Sequence, residues 1–420
     1  MNHATKILAA RDARETKRRA LLKKWPVLLQ MTTVIPGPEK NTQLSRIVEK
    51  VFVELMKHWL GAPMIVEPSY AGTAYFFKTT WEAEALKHLT KQLEDTHPLG
   101  RLIDLDVYTV DGPVNRTLKE ARICLICDDV AHVCSRAMRH SLEALQLEST
   151  KLVQNFFIES LAAAAVEALR KEVYFTPKLA LVGPKPSWVH PDMTLDLFLA
   201  SAESLRPYFK TCVQEGLFSD APNPDRLVEA GKQAEETMFA TTKQVNTHKG
   251  AIFIMGVVLP FLAHALWFEK PLLTVRENIA TYGQHRLKQD WFQKNKHLKS
   301  TAGWRAYEKH GITGIRGEVA AGLPSLFSAF PKPTWSTQRK FATILAHLDD
   351  TTVIKRHGIN VLRALQADMK ALLDTAPFLE TAYSKLSEQY RIQGVSPGGA
   401  ADMLACLFLF EAAEYFFFGQ

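Results

Sequence analysis

Two aspartates two residues apart are the first residues whose spacing could do chemistry. Asp104 and Asp106 alternate with Ile103, Leu105 and Val107 in the segment LIDLDVYTVDG, which ends at an Asp-Gly turn. Successive side chains of a β-strand point to opposite faces, so this alternation predicts a strand with both carboxylates on one face. Such a pair can hold one Mg²⁺, which bridges the oxygens of a triphosphate during in-line transfer. The alternative is a solvent-facing strand with ordinary acidic residues.

A turn and a helix upstream offer donors for phosphate oxygens. The segment IPGPEKN, residues 35–41, is a turn that presents Lys40 and Asn41, and Arg46 follows on the next predicted helix. Cationic and amide side chains bind phosphate well, and they are equally common on ordinary protein surfaces. These residues are therefore candidates on type and position alone.

Three cysteines and two histidines lie close together in the chain: Cys124, Cys127, Cys134, His132 and His140. They supply enough soft ligands for a tetrahedral zinc site, although the spacing is not a common structural zinc pattern. Alternatively, the cysteines are small buried hydrophobic residues, and Arg136, Arg139 and His140 form an anion-binding face. Five cysteines in the whole chain are too few, and odd in number, for a disulfide framework.

Four loop-like motifs interrupt the second half of the chain: YFTPK (174–178), NTHKGAIF (246–253), GITGIRGE (311–318) and SPGGAAD (396–402). Backbone N–H groups and Lys249 of the second motif could receive phosphate, and the three glycines of the third could form an anion nest. Ser396 and Pro397 are typical of a helix start. Neither a Walker nor a Rossmann glycine pattern is present.

The elements that must position these residues divide the chain into two parts. A single core rarely exceeds ~250–300 residues, so 420 residues predict two domains. The front part has predicted strands at Leu28–Gly37, Ala62–Phe77 and Leu102–Gly112, with predicted helices at Gln43–Leu60 and Thr80–Glu94. This pattern indicates an α+β domain with a mixed sheet. From about residue 142 helical spacing dominates, so we predict domains at 1–150 and 151–420, the second larger and all-α.

Most of the net charge of +7 comes from one segment near the N-terminus. Between Lys6 and Lys24 there are eight Lys or Arg residues and two acidic residues, which gives this segment a charge of +6. The rest of the chain is close to balanced, so a broad basic face for nucleic acid is not expected. One local basic element remains to be explained.

The most apolar segment, Ala251–Phe268, has eighteen residues without a formal charge and is long enough to span a bilayer. Pro260 and His264 lie inside it and no second span accompanies it, which favours a buried core helix over a membrane anchor. The N-terminus lacks the apolar region of a secretory signal. We therefore expect a cytoplasmic protein without stable membrane association.

Motifs in the first 150 residues resemble one enzyme family, and they occur in its order: ILAARDAR (7–14), IPGPEKN (35–41), HPLGRLIDLDV (97–107), CLIC (124–127) and CSRAMRHS (134–141). The family is citrate lyase holo-acyl-carrier-protein synthase, also called apo-citrate lyase phosphoribosyl-dephospho-CoA transferase. The resemblance implies a nucleotidyltransferase-like domain. In its reaction a serine of the acyl-carrier (γ) subunit of citrate lyase attacks the α-phosphate of triphosphoribosyl-dephospho-CoA, and diphosphate leaves.

This resemblance gives the front residues candidate roles. Asp104 and Asp106 become catalytic residues and Mg²⁺ ligands. The candidate phosphate-binding residues are Arg11, Lys40, Asn41, Arg46, Arg101, Arg136 and His140. The basic segment Lys6–Lys24 could also steer an acidic carrier protein.

Motifs in the second half resemble triphosphoribosyl-dephospho-CoA synthase: TPK (176–178), HPDM (190–193), FLAS (198–201), LRPYF (205–209), VNTHKGAIF (245–253), GITGIRGE (311–318), GLPS (322–325) and SPGGAADMLA (396–405). The resemblance implies that ATP and 3′-dephospho-CoA are the substrates. The 2′-hydroxyl of dephospho-CoA displaces adenine from C1′ of the ATP ribose and leaves the triphosphate intact.

Such chemistry needs a base for the hydroxyl, stabilisation of an oxocarbenium-like centre and a proton for adenine. The candidate carboxylates for base and Mg²⁺ roles are Asp192, Glu318, Asp350 and Asp402. The candidate substrate- and phosphate-binding residues are Lys178, Asn246, His248, Lys249, Arg316 and Ser396.

The second half departs from this family's usual motifs at four places. Gly183 stands where the family usually has aspartate, Trp188 and Val189 replace Gly-Ala, Gln244 replaces glycine, and Thr352 replaces asparagine. Two hypotheses follow. The chain is a bifunctional enzyme that makes the citrate lyase prosthetic-group precursor and attaches it, or only the front transferase is active and the helical domain is a degenerate binding module.

Overall fold

The structure of the chain is a computed structural model that describes residues 3–116, 121–186, 188–292 and 302–418. It contains two compact units: the larger spans Ile158–Glu414, and the other comprises the chain up to Phe157 together with the chain from Tyr415 onward. The boundary between Phe157 and Ile158 lies inside the long helix α5 (Leu142–Tyr174). The first unit is α+β and the second, larger unit is all-α, which is the order of fold classes that the sequence predicted.

The first unit contains one five-stranded sheet and the helices around it. Its strands are β1 (Val27–Thr33), β2 (Ile65–Glu67), β3 (Ala74–Lys78), β4 (Ile103–Thr109) and β5 (Gly112–Pro113). Its helices before α5 are α1 (His3–Leu22), α2 (Gln43–Leu60), α3 (Ala83–Thr96) and α4 (Ala131–Arg136). The strand order is β2-β3-β1-β4-β5, and every strand pair is antiparallel. The predicted mixed sheet is therefore wrong among the described strands.

The two faces of this sheet differ in chemistry. Leu29 and Met31 of β1 and Leu105 and Val107 of β4 are fully buried on one face, where α2 and α3 contact the sheet. α2 begins cleanly because the side chain of Thr42 accepts a hydrogen bond from the backbone N–H three residues later. The opposite face carries the polar residues of β4, and α1 contacts it. The fold thus separates a packed face from a polar face.

Where the structure describes it, the second unit is built from helices. After α5 these are α6 (Leu195–Ser204), α7 (Arg206–Phe218), α8 (Val228–Thr241), α9 (Lys249–Trp267), α10 (Leu272–Phe292), α11 (Ala302–His310), α12 (Gly314–Ala320), α13 (Pro324–Ala329), α14 (Thr337–His347), α15 (Thr351–His357), α16 (Ile359–Asp374), α17 (Glu380–Ile392) and α18 (Gly398–Phe418). α9 is the central helix and packs against α7, α8 and α10. At the α7–α9 crossing a Cβ on Gly216 would lie 2.2 Å from the carbonyl oxygen of Pro260, so only glycine permits this approach.

Among the described residues two helices, α5 and α9, are long and apolar enough to cross a membrane by length and composition, so the expectation that no second candidate span accompanies Ala251–Phe268 is wrong. In α9 83% of the most apolar 18-residue stretch is buried inside the protein, and in α5 50% of the corresponding stretch is buried. Burial of α9 agrees with the prediction that Ala251–Phe268 is a core helix, and the fold is compatible with a soluble protein.

The predicted elements match the observed ones with three informative differences. The predicted strand Ala62–Phe77 is two antiparallel strands, β2 and β3, joined through Ser69–Gly72. The predicted helix Leu195–Phe209 divides at Leu205 into α6 and α7, because Pro207 lies in the first turn of α7. The glycine-rich motif 311–318 is not an open loop, since its residues from Gly314 onward form α12.

Candidate active sites

The acidic pair lies on the polar face of the front sheet. Along β4 the residues Ile103, Leu105 and Val107 are buried, whereas Asp104 and Asp106 are partly exposed. The alternation therefore places both carboxylates on one face, as the sequence predicted. Directly opposite Asp106 across β1 is Gln30, and opposite Asp104 is Thr32.

Ionisation of both carboxylates at once is electrostatically unfavourable. Burial, followed by the negative charge of Asp104, raises the pKa of Asp106 to about 6. Burial also raises the pKa of Asp104, although the nearby guanidinium of Arg122 opposes this shift. A pair of oxygen ligands that repel each other and have raised pKa values is chemically suited to a divalent cation, whose charge would relieve both effects.

Glu94, Arg116, Arg122 and Asp104 form an ion network along the side of β4 opposite β1, which we call the β4 edge network. The buried Glu94 of α3 accepts a hydrogen bond from the backbone N–H of Leu105 at 2.6 Å and forms an ion pair with Arg116. Arg122 lies 3.5 Å from Glu94, forms an ion pair with Asp104 and donates to the carbonyl of Gly100 at 3.0 Å. The sequence analysis did not identify Glu94, Arg116 or Arg122, because their partners lie 11 to 28 residues away in the chain.

Predicted phosphate ligands gather around the loop between β2 and β3. Lys40 donates to the carbonyl of Ile35 at 2.7 Å, and burial together with the charge of Arg11 lowers the pKa of Lys40. Asn41 donates to the carbonyl of Ser69 at 3.0 Å. Arg46 donates to the carbonyl of Asn41 at 3.4 Å. The structure therefore brings Arg11, Lys40, Asn41 and Arg46 into one basic region.

The basic helix α1 borders the acidic face. Arg14, which the sequence analysis did not single out, is buried and donates to the carbonyl of Gly72 at 2.9 Å. One turn later Arg18 donates to the side chain of Gln30 at 3.1 Å and stacks on the ring of Tyr108 at 3.8 Å. A surface groove of about 530 Å³ runs between the second half of α1 and the β4–β5 turn.

Three further predicted phosphate ligands do not join this region. Burial, and then the charge of Arg122, lower the pKa of Arg101, which places Arg101 beside the β4 edge network instead. Arg136 is exposed at the end of α4. The Nε2 atom of His140 lies 3.3 Å from the sulfur of Cys127, and Arg139 is paired with Asp129. Two members of the predicted anion-binding face of Arg136, Arg139 and His140 thus contact other side chains, and the face stays a prediction.

The second unit contains a cavity of about 210 Å³ that is lined by residues from two of the four loop-like motifs, NTHKGAIF and SPGGAAD. Its lining includes four of the predicted residues: Asn246, His248, Ser396 and Asp402. It also includes Glu172, His190, Gly250, Thr352 and Arg356. The lining comes from α5, the loop before α6, the start of α9, α15 and the start of α18, so segments far apart in the chain meet at one place.

His248 presents an unsatisfied ring nitrogen in this cavity. Its Nδ1 lies 2.8 Å from the hydroxyl oxygen of Ser201, whose position is fixed by Thr247 at 2.7 Å. Its Nε2 is buried and has no hydrogen-bond partner among the described residues. Burial and the charge of Lys178 lower the pKa of His248 to about 3, so its ring is neutral. A buried polar atom without a partner in a cavity is the feature that a substrate would complete.

Asp402 is the central carboxylate of the cavity. Burial, followed by the charges of Glu172 and Asp350, raises the pKa of Asp402 well above its ordinary range. These effects favour the protonated form of Asp402. A Cβ on Gly250 would lie 2.0 Å from Oδ2 of Asp402, so the glycine of the NTHKG motif is required for this approach.

Arg356 is the cationic residue of the cavity lining and contacts His190. The guanidinium of Arg356 donates to Nε2 of His190 at 3.0 Å, and the hydroxyl of Ser396 lies 2.9 Å from the same nitrogen. Because arginine only donates, Nε2 of His190 is the acceptor and its ring is neutral. The sequence analysis did not identify Arg356, because Lys355, Arg356 and His357 form a basic segment that is typical of the last turn of a helix.

Three predicted phosphate ligands of the helical half lie outside the cavity lining: Lys178, Lys249 and Arg316. The Nζ atom of Lys178 is buried and lies 2.7 Å from a carboxylate oxygen of Glu172. Lys249 is paired with Glu235 at 2.7 Å on the surface. Arg316 lies over the ring of Phe253, with 5.6 Å between the guanidinium carbon and the ring centre.

Three predicted carboxylates also lie outside the lining: Asp192, Glu318 and Asp350. Glu318 accepts hydrogen bonds from the hydroxyl of Ser325 at 2.7 Å and from its backbone N–H at 3.1 Å. Asp350 is buried and accepts hydrogen bonds from the backbone N–H groups of Thr352 and Ala400, so it caps α15 and the start of α18. Asp192 is exposed, and its charge acts on the neighbouring His190.

The departures in the helical motifs are accommodated locally. Thr352, at the usual asparagine position, donates to Asp350 at 2.6 Å and accepts from the N–H of Gly398 at 2.9 Å. At the usual aspartate position, a Cβ on Gly183 would lie 3.7 Å from the Lys178 side chain. In this chain Glu172 supplies the carboxylate for that lysine.

Comparison with known proteins identifies both units. A family model for apo-citrate lyase phosphoribosyl-dephospho-CoA transferase matches residues 3–156, and one for ATP:dephospho-CoA triphosphoribosyl transferase matches residues 158–416. The protein named CitXG from Haemophilus influenzae is 30% identical, with 96% of this chain and 95% of the relative covered. CitXG from Leuconostoc mesenteroides is 29% identical, with 95% and 94% covered. A 2-(5''-triphosphoribosyl)-3'-dephosphocoenzyme-A synthase from Haemophilus ducreyi is 33% identical over 69% of this chain and 100% of the relative.

The two family models identify a transferase with two parts. Together they cover nearly the whole chain, and the chain aligns with CitXG from Haemophilus influenzae over nearly the whole length of both. The chain belongs to the family in which apo-citrate lyase phosphoribosyl-dephospho-CoA transferase is fused to ATP:dephospho-CoA triphosphoribosyl transferase.

Proposed function

We propose that the chain synthesises the citrate lyase prosthetic-group precursor in its helical domain, residues 151–420, and attaches it with its front domain, residues 1–150. The observation that carries the proposal is the helical cavity, in which His248, Asp402 and Arg356 meet although they lie far apart in the chain. A degenerate scaffolding domain would have no reason to keep this arrangement. It is also disfavoured because relatives that match this part are named as synthases.

In the synthase reaction, two cavity residues have protonation states suited to opposite tasks. The neutral ring of His248 offers Nε2 to accept the proton of the attacking 2′-hydroxyl of dephospho-CoA. The carboxyl of Asp402, whose protonated form is favoured by its burial, can donate a proton to the departing adenine. Environments that push two pKa values in opposite directions are a common way of assigning a base and an acid.

We assign binding of the triphosphate to Arg356 rather than to Lys178, Lys249 and Arg316. Arg356 is the guanidinium in the cavity lining, and the three others lie outside it. The start of α18 is a weaker candidate than its sequence suggests, since the N–H groups of Gly398 and Ala400 donate to Thr352 and Asp350. This assignment retains Asn246 and Ser396 as polar contacts in the same cavity.

In the transferase reaction, a nucleotidyltransferase-like front domain joins the carrier serine to the α-phosphate with loss of diphosphate. Asp104 and Asp106 fit a Mg²⁺ ion, because their mutual repulsion and raised pKa values call for a cation. When bound, Mg²⁺ would neutralise charge on the phosphate oxygens. The chain's own basic region, with Arg11, Lys40 and Arg46, would bind and orient the remaining phosphates.

An acyl-carrier protein is the partner that the front family acts on, and we propose that it is the γ subunit of citrate lyase. The exposed basic residues of α1 offer a docking surface for an acidic carrier. The groove beside α1, lined in part by Arg18, Arg19 and Lys23, lies along the same helix. The burial of α9 and the nature of the substrates support a cytoplasmic location.

The test separates the two reactions. The purified full chain is incubated with ATP, Mg²⁺ and dephospho-CoA, and released adenine is measured; apo-carrier with ready-made precursor then reports attachment by its gain in mass. Asp402→Asn should abolish adenine release and preserve attachment, whereas Asp104→Asn should do the reverse. Asp220→Asn, at an exposed position, is the matched control. No adenine release by the wild-type chain, with attachment intact, would establish the scaffolding alternative.

A further inference from the structure

The cysteine-rich segment at the end of the first unit has no part in the chemistry described above. Four side chains in it converge: Cys124, Cys127, Cys134 and His140. One ligand atom from each residue lies within 4.8 Å of the corresponding atoms of all the others. His132, which the sequence analysis considered together with His140, is exposed and is not a member of this group.

We propose that Cys124, Cys127, Cys134 and His140 bind one Zn²⁺ ion in a closed tetrahedral site. With Zn–S bonds of ~2.3 Å and Zn–N bonds of ~2.0–2.1 Å, a tetrahedron has ligand separations of ~3.8 Å for S–S and ~3.5 Å for S–N. The sulfurs of Cys127 and Cys134 are 3.9 Å apart, and Nε2 of His140 is 3.3 Å from the sulfur of Cys127. These two separations match those around one zinc ion, and all the other separations among the four ligand atoms are at most 4.8 Å.

The alternatives fit these four residues less well. Of the three cysteines only Cys134 is buried, whereas Cys124 and Cys127 are partly exposed. The three cysteines are therefore not simply small hydrophobic residues of the core. A sulfur separation of 3.9 Å is far from the ~2.05 Å of a disulfide. Thiolates and imidazole are soft ligands that select zinc over Mg²⁺ or Ca²⁺, and four protein ligands leave no open position for catalysis.

The backbone around the site is arranged as a tight support for the ligands. The N–H of Cys124 donates to the carbonyl of Asp129 at 2.7 Å, and the N–H of Ala131 donates to the carbonyl of Arg122 at 2.8 Å. The N–H of Ile126 points at the sulfur of Cys124 at 3.5 Å. Donors of this kind orient metal ligands from the outside. The zinc site would fix the backbone of Arg122, whose side chain pairs with Asp104.

The first test measures metal in the wild-type full chain. Protein purified under reducing conditions without chelator should contain about one zinc per chain by inductively coupled plasma mass spectrometry. Replacement by Co²⁺ should give the intense visible bands of a tetrahedral thiolate complex. Freshly reduced protein with less than about a tenth of a zinc per chain, combined with an octahedral Co²⁺ spectrum, would overturn the proposal.

The second test uses variants of matched position. His140→Ala and Cys127→Ser should each lower bound zinc at least tenfold and abolish the tetrahedral Co²⁺ spectrum, whereas His132→Ala should retain both. Unchanged zinc content and spectrum in His140→Ala would contradict the site. If the ligand variants do not fold, stepwise modification of the wild-type thiols with a mercurial decides, with a chromogenic chelator as the readout. Zinc should be released as the thiols react, and thiols that react without releasing zinc would refute the proposal.

Discussion

The ionised form of Asp106 should destabilise the front sheet, so Asp106→Asn should make that sheet more stable while it abolishes attachment. Burial and the charge of Asp104 raise the pKa of Asp106 from 3.8 to about 6. A carboxyl whose pKa is higher in the fold binds its proton more tightly there. The fold therefore loses stability as the pH rises from about 4 through about 6, and the loss is complete above that range.

The size of this effect follows from the two pKa values. At ~1.4 kcal/mol per pKa unit, the difference between 3.8 and about 6 corresponds to at most ~3 kcal/mol above pH 7. Asp106 is partly exposed, and asparagine makes different hydrogen bonds, so we expect a net gain of about 1–2 kcal/mol. That gain corresponds to amide exchange slowed by about 5–30-fold.

Hydrogen–deuterium exchange read by mass spectrometry measures this gain in peptides from β1 and β4 of the full chain. Exchange in Asp106→Asn, corrected for intrinsic rates, should be slower than in the wild type at pH 8 and nearly equal at pH 4. Asp111→Asn, at the exposed β4–β5 turn, should leave these peptides unchanged. A gain in protection that persists undiminished at pH 4, or a loss of protection at pH 8, would refute the idea that ionised Asp106 destabilises the fold.

Three other outcomes test the helical cavity and the pH response. Gly250→Ala should lower adenine release at least ~10-fold, because its methyl group would lie 2.0 Å from Oδ2 of Asp402; Gly303→Ala, whose Cβ would meet no atom within 4 Å, should have no effect. His248→Gln should lower adenine release by ~10²–10⁴-fold and spare attachment from supplied precursor. Attachment should decline as the pH falls through about 6 and Asp106 takes up a proton, whereas adenine release should decline at alkaline pH as Asp402 loses its proton, measured as separate rate profiles.

Local patterns predicted the parts of the fold that depend on neighbouring residues. The two-residue alternation around Asp104 and Asp106 is confirmed by the burial pattern of β4, because one face of that strand is packed against helices. The β4 edge network could not be predicted in this way. Glu94 pairs with Arg116 and Arg122, which lie 22 and 28 residues further along the chain. Their approach to Glu94 depends on the path of the chain after the sheet.

Glycine-rich motifs were the least reliable guide to the helical site. The motif 311–318 suggested an anion nest, but in the fold it opens a helix in which a Cβ on Gly317 would lie 1.8 Å from Thr313. Conversely, Gly250 follows a motif lysine that is paired on the surface, and the glycine itself is the position that admits Asp402 to the cavity. The sequence pattern identified the right segments, while packing decided which residue in each segment faces the substrate.

The two candidate sites would bind the same polyphosphate, but the charges of their acidic residues differ. In the helical cavity burial favours the protonated form of Asp402 and the neutral form of His248, and both forms leave Arg356 free of a nearby full negative charge from these groups. On the front sheet Asp104 and Asp106 lie near a region with several cations, and ionised carboxylates there repel phosphate unless a metal intervenes. The first arrangement suits a reaction that leaves the triphosphate intact, whereas the second suits one that breaks it. Fusing the two in one chain keeps the product of the first near the second, since linked sites raise the effective concentration of a shared intermediate.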